Sequence, residues 1–191
     1  MRTILMIVLF VAFAIPLSAQ DFNRGVDAYR SGDYATAMNE WRPLAEQGNM
    51  VAQYALGVMY DLGEGVSKDA KQAIKWYSLA AEQGYALAQY ALGVIYERGA
   101  GVTLEPKEAV KWYRRAAEQG YALAQYALGV MYDNGLGARQ DNVLAHMWYN
   151  LSAANGSDLG GKNREVVVKE MTQEDISKAQ SMASECMSSD Y

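Results

Sequence analysis

The sequence predicts an all-α protein built as an array of stacked helix pairs, and three observations carry that prediction. Gly48, Gly84, Gly120 and Gly156 stand 36 residues apart; Trp76, Trp112 and Trp148 keep the same interval, as do Tyr60, Tyr96 and Tyr132. Residues 80–94 and 116–130 are identical, both reading AAEQGYALAQYALGV. Within each period the apolar residues fall twice into the i, i+3, i+4, i+7 pattern of an amphipathic helix. A fixed period of this length marks a repeat architecture, in which each unit buries its apolar face against its neighbours.

Residues 1–19 stand apart from the array. Arg2 supplies a positive start, Ile4 to Leu17 is apolar apart from Pro16, and Leu17-Ser18-Ala19 precedes the polar Gln20-Asp21. The run is shorter than the roughly 20 residues of a membrane-spanning helix. Its order of charge, apolar stretch and small residue reads as a secretory signal cleaved after Ala19. An uncleaved N-terminal anchor is the alternative.

Residues 20–48 read as a shorter helix pair. Gly25, Tyr29, Gly32-Asp33-Tyr34, Ala37 and Trp41 trace two helices joined by a tight turn. Pro43 has no N–H for the Asn39 carbonyl, which predicts a kink or an early end to the second helix.

Three full units follow, at 49–84, 85–120 and 121–156. Their first helices carry a core stripe of Ala52, Ala55, Leu56, Met59 and Tyr60, repeated as Ala88, Ala91, Leu92, Ile95 and Tyr96 and as Ala124, Ala127, Leu128, Met131 and Tyr132. Their second helices carry Ala73, Trp76, Tyr77, Ala80 and Ala81, repeated as Ala109, Trp112, Tyr113, Ala116 and Ala117. The three tryptophans are assigned to the core. Gly57, Gly93 and Gly129 each cost about 1 kcal/mol relative to Ala inside a helix, so a close backbone crossing is expected at each. Gly48, Gly84, Gly120 and Gly156 suit left-handed C-terminal caps.

The loops DLGEGVSKD, ERGAGVTLE and DNGLGARQD join helix to helix. Their paired glycines do not make a phosphate cradle, because no third glycine follows at GxGxxG spacing and no Gly-Lys-Ser/Thr occurs. Residues 157–191 break the period and read as a helical cap. There Gly160-Gly161 opens a short helix through Val166–Val168, and Thr172-Gln173-Glu174-Asp175 starts a last helix to about Cys186. The total is ten helices.

Composition narrows the function. The chain has 22 acidic and 17 basic residues, one histidine (His146) and one cysteine (Cys186). A net charge of -5 argues against nucleic acid, whose binding rests on clustered Lys and Arg. One Cys cannot build a cysteine-rich zinc or iron–sulfur site, and one His rules out multi-histidine metal centres. There is no Gly-x-Ser-x-Gly and no Ser-x-x-Lys, so no nucleophile motif is present. No catalytic residue, metal or cofactor is expected.

Ala-Leu-Gly-x-x-Tyr, Gly-x-Gly-Val and Trp-Tyr-x-x-Ala-Ala occur together and in register over about residues 45–156. This closely resembles the Sel1-like repeat, a relative of the tetratricopeptide repeat, and the leading pair looks tetratricopeptide-like. The third unit departs at Ala138, Ser152 and His146. The resemblance implies a right-handed α-solenoid of antiparallel helix pairs with a C-terminal capping helix pair, acting as a protein-interaction scaffold. For exported bacterial members it implies envelope assembly, signalling or host contact, hence a periplasmic or secreted location without membrane insertion after cleavage. Two other roles come with the family: a glycan- or peptidoglycan-associated binder, and the β-lactam-interacting cysteine-rich branch. The repeats here lack the paired cysteines of that branch.

The first helices also carry a second face. Val51, Tyr54, Val58 and Asp61 lie roughly opposite the core stripe, repeated as Leu87, Tyr90, Val94 and Glu97 and as Leu123, Tyr126, Val130 and Asp133. With first helices on the concave side, as the resemblance implies, this is the candidate site for a protein or peptide partner of basic-amphipathic character. Two readings of the tyrosines stay open: ligand anchors, or rings packed between adjacent helices. The acids sit near helix C-termini, where the dipole disfavours them. They either accept hydrogen bonds from the glycine loop or meet a basic partner.

Overall fold

The computed structural model describes residues 17–188, with side chains from Phe22 onward. Among the described residues there are ten α-helices. The leading pair is α1 (Leu17–Arg30) and α2 (Tyr34–Glu46), followed by α3 (Met50–Leu62) with α4 (Ala70–Glu82) and α5 (Ala86–Arg98) with α6 (Pro106–Ala117). Then come α7 (Ala122–Asn134) with α8 (Asn142–Ala154), α9 (Asp158–Val167), a 3-10 turn (Val168–Glu170) and α10 (Gln173–Ser188). Most of the expected signal segment, residues 1–16, lies outside the described residues.

Consecutive helices pack as pairs, and each pair rests on the next through its second helix: α2 on α3, α4 on α5, α6 on α7. Both α9 and α10 pack on α8, so the cap closes over the last repeat's second helix. The contacts are local in sequence, as a solenoid requires.

Local chemistry sets the boundaries. Asp33, Asn49, Asp69 and Asp141 cap α2, α3, α4 and α8, each accepting from backbone N–H groups of the first turn. Gly48, Gly84, Gly120 and Gly156 all have φ between +81° and +94°. At these points the chain doubles back in paired bonds such as Tyr85 N–H to the Ala80 carbonyl and Gly84 N–H to Ala81, a Schellman ending. Thr172 caps α10 through the Asp175 N–H at 3.2 Å. The loop glycines shape turns against the preceding unit: a Cβ on Gly65 would lie 2.6 Å from Tyr34 Cβ at the start of α2.

Several sequence expectations are corrected. Helix α2 does not stop at Pro43 but runs on to Glu46. Helix α9 starts earlier than expected, at Asp158, with Ser157 as its cap and both glycines inside it. What crosses Gly57, Gly93 and Gly129 is a tyrosine ring, not a helix backbone. A Cβ on Gly57 would lie 2.5 Å from Tyr77 Cδ1 and one on Gly129 2.6 Å from Tyr149 Cδ1, and Gly93 meets Tyr113 in the same way. The close backbone crossing occurs instead at Gly160, where a Cβ would lie 2.8 Å from the Tyr149 carbonyl oxygen. Trp76 and Trp148 are core residues at 6% and 4% exposure. Trp112 is only half-buried, with the Arg115 guanidinium 4.6 Å above its ring.

Candidate functional site

The second face of the first helices lies between core and solvent. Eleven of its twelve residues are half-buried and Leu123 is exposed. The tyrosines are held in an aromatic chain. Tyr54 lies 5.6 Å from Tyr77 of its own unit and 5.4 Å from Tyr85 at the start of the next. Tyr90 repeats this with Tyr113 at 5.6 Å and Tyr121 at 5.3 Å, and Tyr126 packs on Tyr149 at 5.9 Å. Tilted and edge-on arrangements of this kind add to the energy of simple burial. The rings therefore bridge repeats while keeping one side at the surface, and the two readings of them are not exclusive.

Tyr85 and Tyr121 were not distinguished by pattern alone. They occupy the N-cap positions of α5 and α7, where neither makes a side-chain cap bond, whereas Asn49 caps α3. A poor capping residue repeated at the 36-residue interval was the available signal.

Two of the three acids bond to tyrosine hydroxyls of the second helix, not to the glycine loop. Tyr113 Oη donates to Glu97 Oε2 at 2.5 Å, and Tyr149 Oη donates to Asp133 Oδ2 at 3.1 Å. Asp61 acts on Tyr77 through its charge. Burial first, and the neighbouring carboxylate next, push the Tyr77 and Tyr113 hydroxyls far above the usual phenol range, so both stay protonated donors. At the N-terminal end Tyr34 Oη donates to Glu64 Oε1 at 3.2 Å, and Tyr29 donates to the other oxygen of the same carboxylate.

Between α1 and α3 this face opens into an apolar groove of about 440 Å³. Val51, Tyr54 and Val58 form one wall, Phe22 and Val26 the other, and Arg30 is the one charged residue lining it among the described side chains. Three of the residues expected from sequence are thus brought together with α1 side chains that the periodicity did not single out.

A second feature escaped the sequence reading. Gln53, Gln89 and Gln125 are buried at 4%, 3% and 0% exposure. Each donates through Nε2 at 3.0 Å to a carbonyl in the preceding second helix: Ala45, Ala81 and Ala117. Each accepts through Oε1 from an amide at the end of its own unit: Gln83 at 2.7 Å, Gln119 at 2.7 Å and Asn155 at 2.9 Å. The repeats are stitched by buried amides that leave neither donor nor acceptor unpaired. A glutamine beside the core stripe at each 36-residue interval was the signal.

Among the described residues there is no group of three or more His, Cys, Asp or Glu placed to hold a metal ion. None of the described helices is long and apolar enough to cross a membrane.

Helix pairs joined head to tail through alanine faces, tyrosine bridges and glutamine stitches define an α-solenoid repeat protein. The chain belongs to the Sel1 repeat family, whose model matches residues 51–85, 86–121 and 122–157. Among solved structures it is similar to a Sel1 repeat protein from Oxalobacter formigenes, with 38% identity and a TM-score of 0.73, over 76% of this chain and 60% of that one. It is also similar to a protective antigen present in uropathogenic Escherichia coli strains that displays an SLR fold, with 30% identity and a TM-score of 0.55, over 89% of this chain and 45% of that one. Over 57 residues it is 39% identical to exopolysaccharide production negative regulators of Rhizobium leguminosarum bv. viciae and Rhizobium meliloti (strain 1021). The chain spans only 21% of the length of those two relatives.

Proposed function

We propose that this protein is an exported, non-catalytic adaptor that holds a segment of a partner protein along its first-helix face, seated first in the groove between α1 and α3. The observation that carries this reading is the groove itself, where Val51, Tyr54 and Val58 remain open to an apolar side chain beside α1. Aromatic rings with one side free supply contact area at little cost in conformational entropy, which suits peptide anchoring. The carboxylates of Asp61, Glu97 and Asp133 line up beside the same rings and favour a partner with basic residues flanking its apolar anchors. Export rests on Arg2, the apolar run and Ala19, and places the adaptor in the periplasm or outside the cell.

Two measurements test this. Mass spectrometry of the protein from its native cell is expected to find Gln20 as the mature N-terminus; a retained Met1 overturns cleavage and leaves the uncleaved anchor. A photocrosslinker at Val58 or Tyr90 is expected to capture a common partner that one at Lys111, on the opposite helix of the pair, does not. Equal capture from all three positions overturns the assignment of the face.

A second reading, a glycan-associated role, draws on Trp112. Its half-exposed ring under Arg115 borders a hollow of about 300 Å³, which is the kind of platform a sugar stacks on. Binding of sedimented cell-wall material by the purified protein, lost in Trp112→Ala, would favour it over the peptide groove.

A further inference from the structure

The C-terminal cap holds a second cavity, at the opposite end of the array from the α1–α3 groove, of about 510 Å³ between α8, α9 and α10. Its lining is unlike the groove: His146 and Asn150 from α8, Arg164 and Glu165 from α9, Gln180 and Ser184 from α10. His146 is 2% exposed, and its Nδ1 has no hydrogen-bond partner among the described residues. The repeat supplies its own control for this position. Ile74 and Val110 stand there in the two preceding units, so stacking asks for an apolar side chain and gains nothing from an imidazole. Ser152, the other departure inside α8, is by contrast satisfied, donating to the Ala122 carbonyl at 2.7 Å. A buried imidazole with an idle nitrogen disfavours folding unless something else uses it.

The rest of the lining indicates what that is. Arg164 is held in place by its bond to Asn150 Oδ1 at 2.7 Å, which leaves other guanidinium donors for a carboxylate. Glu165, adjacent in sequence and also on the cavity wall, repels a multiply charged anion and attracts an ammonium group. The Gln180 amide and Ser184 hydroxyl, one turn apart on α10, complete a polar rim. The volume leaves ample room for a ligand of about a dozen heavy atoms. We propose that this cavity binds a small zwitterion of amino-acid or dipeptide size, its carboxylate on Arg164 and its ammonium on Glu165. His146 lines the same cavity, so a ligand seated there is expected to move its imidazole signals.

The test is an NMR titration of the full chain with the His146 imidazole labelled, using alanine and dialanine as probes and acetate and methylammonium as half-ligands. Saturable movement of the imidazole signals by alanine or dialanine is expected, at concentrations about tenfold below those needed for either half-ligand. Arg164→Gln is expected to weaken binding by about tenfold or more while the array stays folded. His146→Val, which installs the residue found at 110, is expected to raise the midpoint of thermal unfolding; ligand contacts are then followed on Gln180 and Ser184 amides. No saturable shift with either zwitterion, or an equal response to acetate, overturns the proposal. A fall in the unfolding midpoint of His146→Val would show the imidazole to be structural and overturns it as well. None of these outcomes bears on the first-helix groove.

Discussion

Gln89 Nε2 donates to the Ala81 carbonyl oxygen at 3.0 Å, joining α5 to the last turn of α4 across the boundary between two repeats. The same amide accepts from Gln119, so one side chain ties the ends of three helices. This arrangement takes the place of apolar contact at the core position that is polar in every unit.

Replacing Gln89 by Leu keeps the volume but removes one bond to the Ala81 carbonyl, which keeps the Gly84 N–H, and one from the Gln119 amide, which keeps the Arg115 carbonyl. The expected loss is about 1–3 kcal/mol, for two hydrogen bonds at about 0.5–1.5 kcal/mol each. Urea unfolding of native and variant protein measures it. A loss below about 0.5 kcal/mol would mean that water replaces the glutamine and the stitch has no structural weight.

Gly129→Ala improves helix propensity by about 1 kcal/mol in isolation. In this fold the added methyl would sit 2.6 Å from Tyr149 Cδ1 and Cε1. Tyr149 is fully buried and cannot move aside, so the variant is expected to lose about 1–3 kcal/mol net. Pairing it with Tyr149→Leu should recover part of that loss, and a double-mutant cycle reads the coupling directly.

The three tryptophans, alike in sequence, should differ in weight. Trp148→Ala and Trp76→Ala are expected to cost about 3–5 kcal/mol each. Trp112→Ala should cost roughly half as much, because its ring is partly solvated and its upper face meets Arg115. Equal losses in all three, measured by thermal or urea unfolding, would contradict the difference in burial.

His146 makes stability depend on pH in one direction. Burial, with the Arg164 charge adding to it, holds the folded pKa of His146 below its ordinary value near 6.5. Above about pH 6.5 the imidazole is neutral in both folded and unfolded chains and contributes no slope. As pH falls from there toward the lower folded value, the unfolded chain takes up a proton that the folded chain refuses, so stability declines across that window and levels off beneath it. His146→Val should flatten this part of the profile. An unchanged slope would assign it to other groups.

Much of this was legible in the amino-acid sequence. The 36-residue interval, the two amphipathic helices in each unit, the glycine caps and the Thr172 cap all depend on local or periodic signals. Such signals survive without knowledge of neighbours because every repeat has the same neighbours. Fully buried alanines such as Ala52, Ala88 and Ala124 were found in that way, whereas Ala55, Ala91 and Ala127 of the same stripes are only half-buried. The partners of Glu97 and Asp133 were not: a carboxylate at a helix end looks the same whether a loop amide or a tyrosine 16 residues away completes its bond.

By itself the sequence determined the class of protein, the length of its unit and the side of each helix that faces inward, because periodicity and helix geometry translate directly into a buried stripe. Only the tertiary structure decided what lies between units: rings over glycines, glutamines across helix ends, the groove beside α1 and the cavity under His146. Those depend on distances between side chains from different helices, and a one-dimensional pattern carries the direction of a side chain but not the atom that it meets.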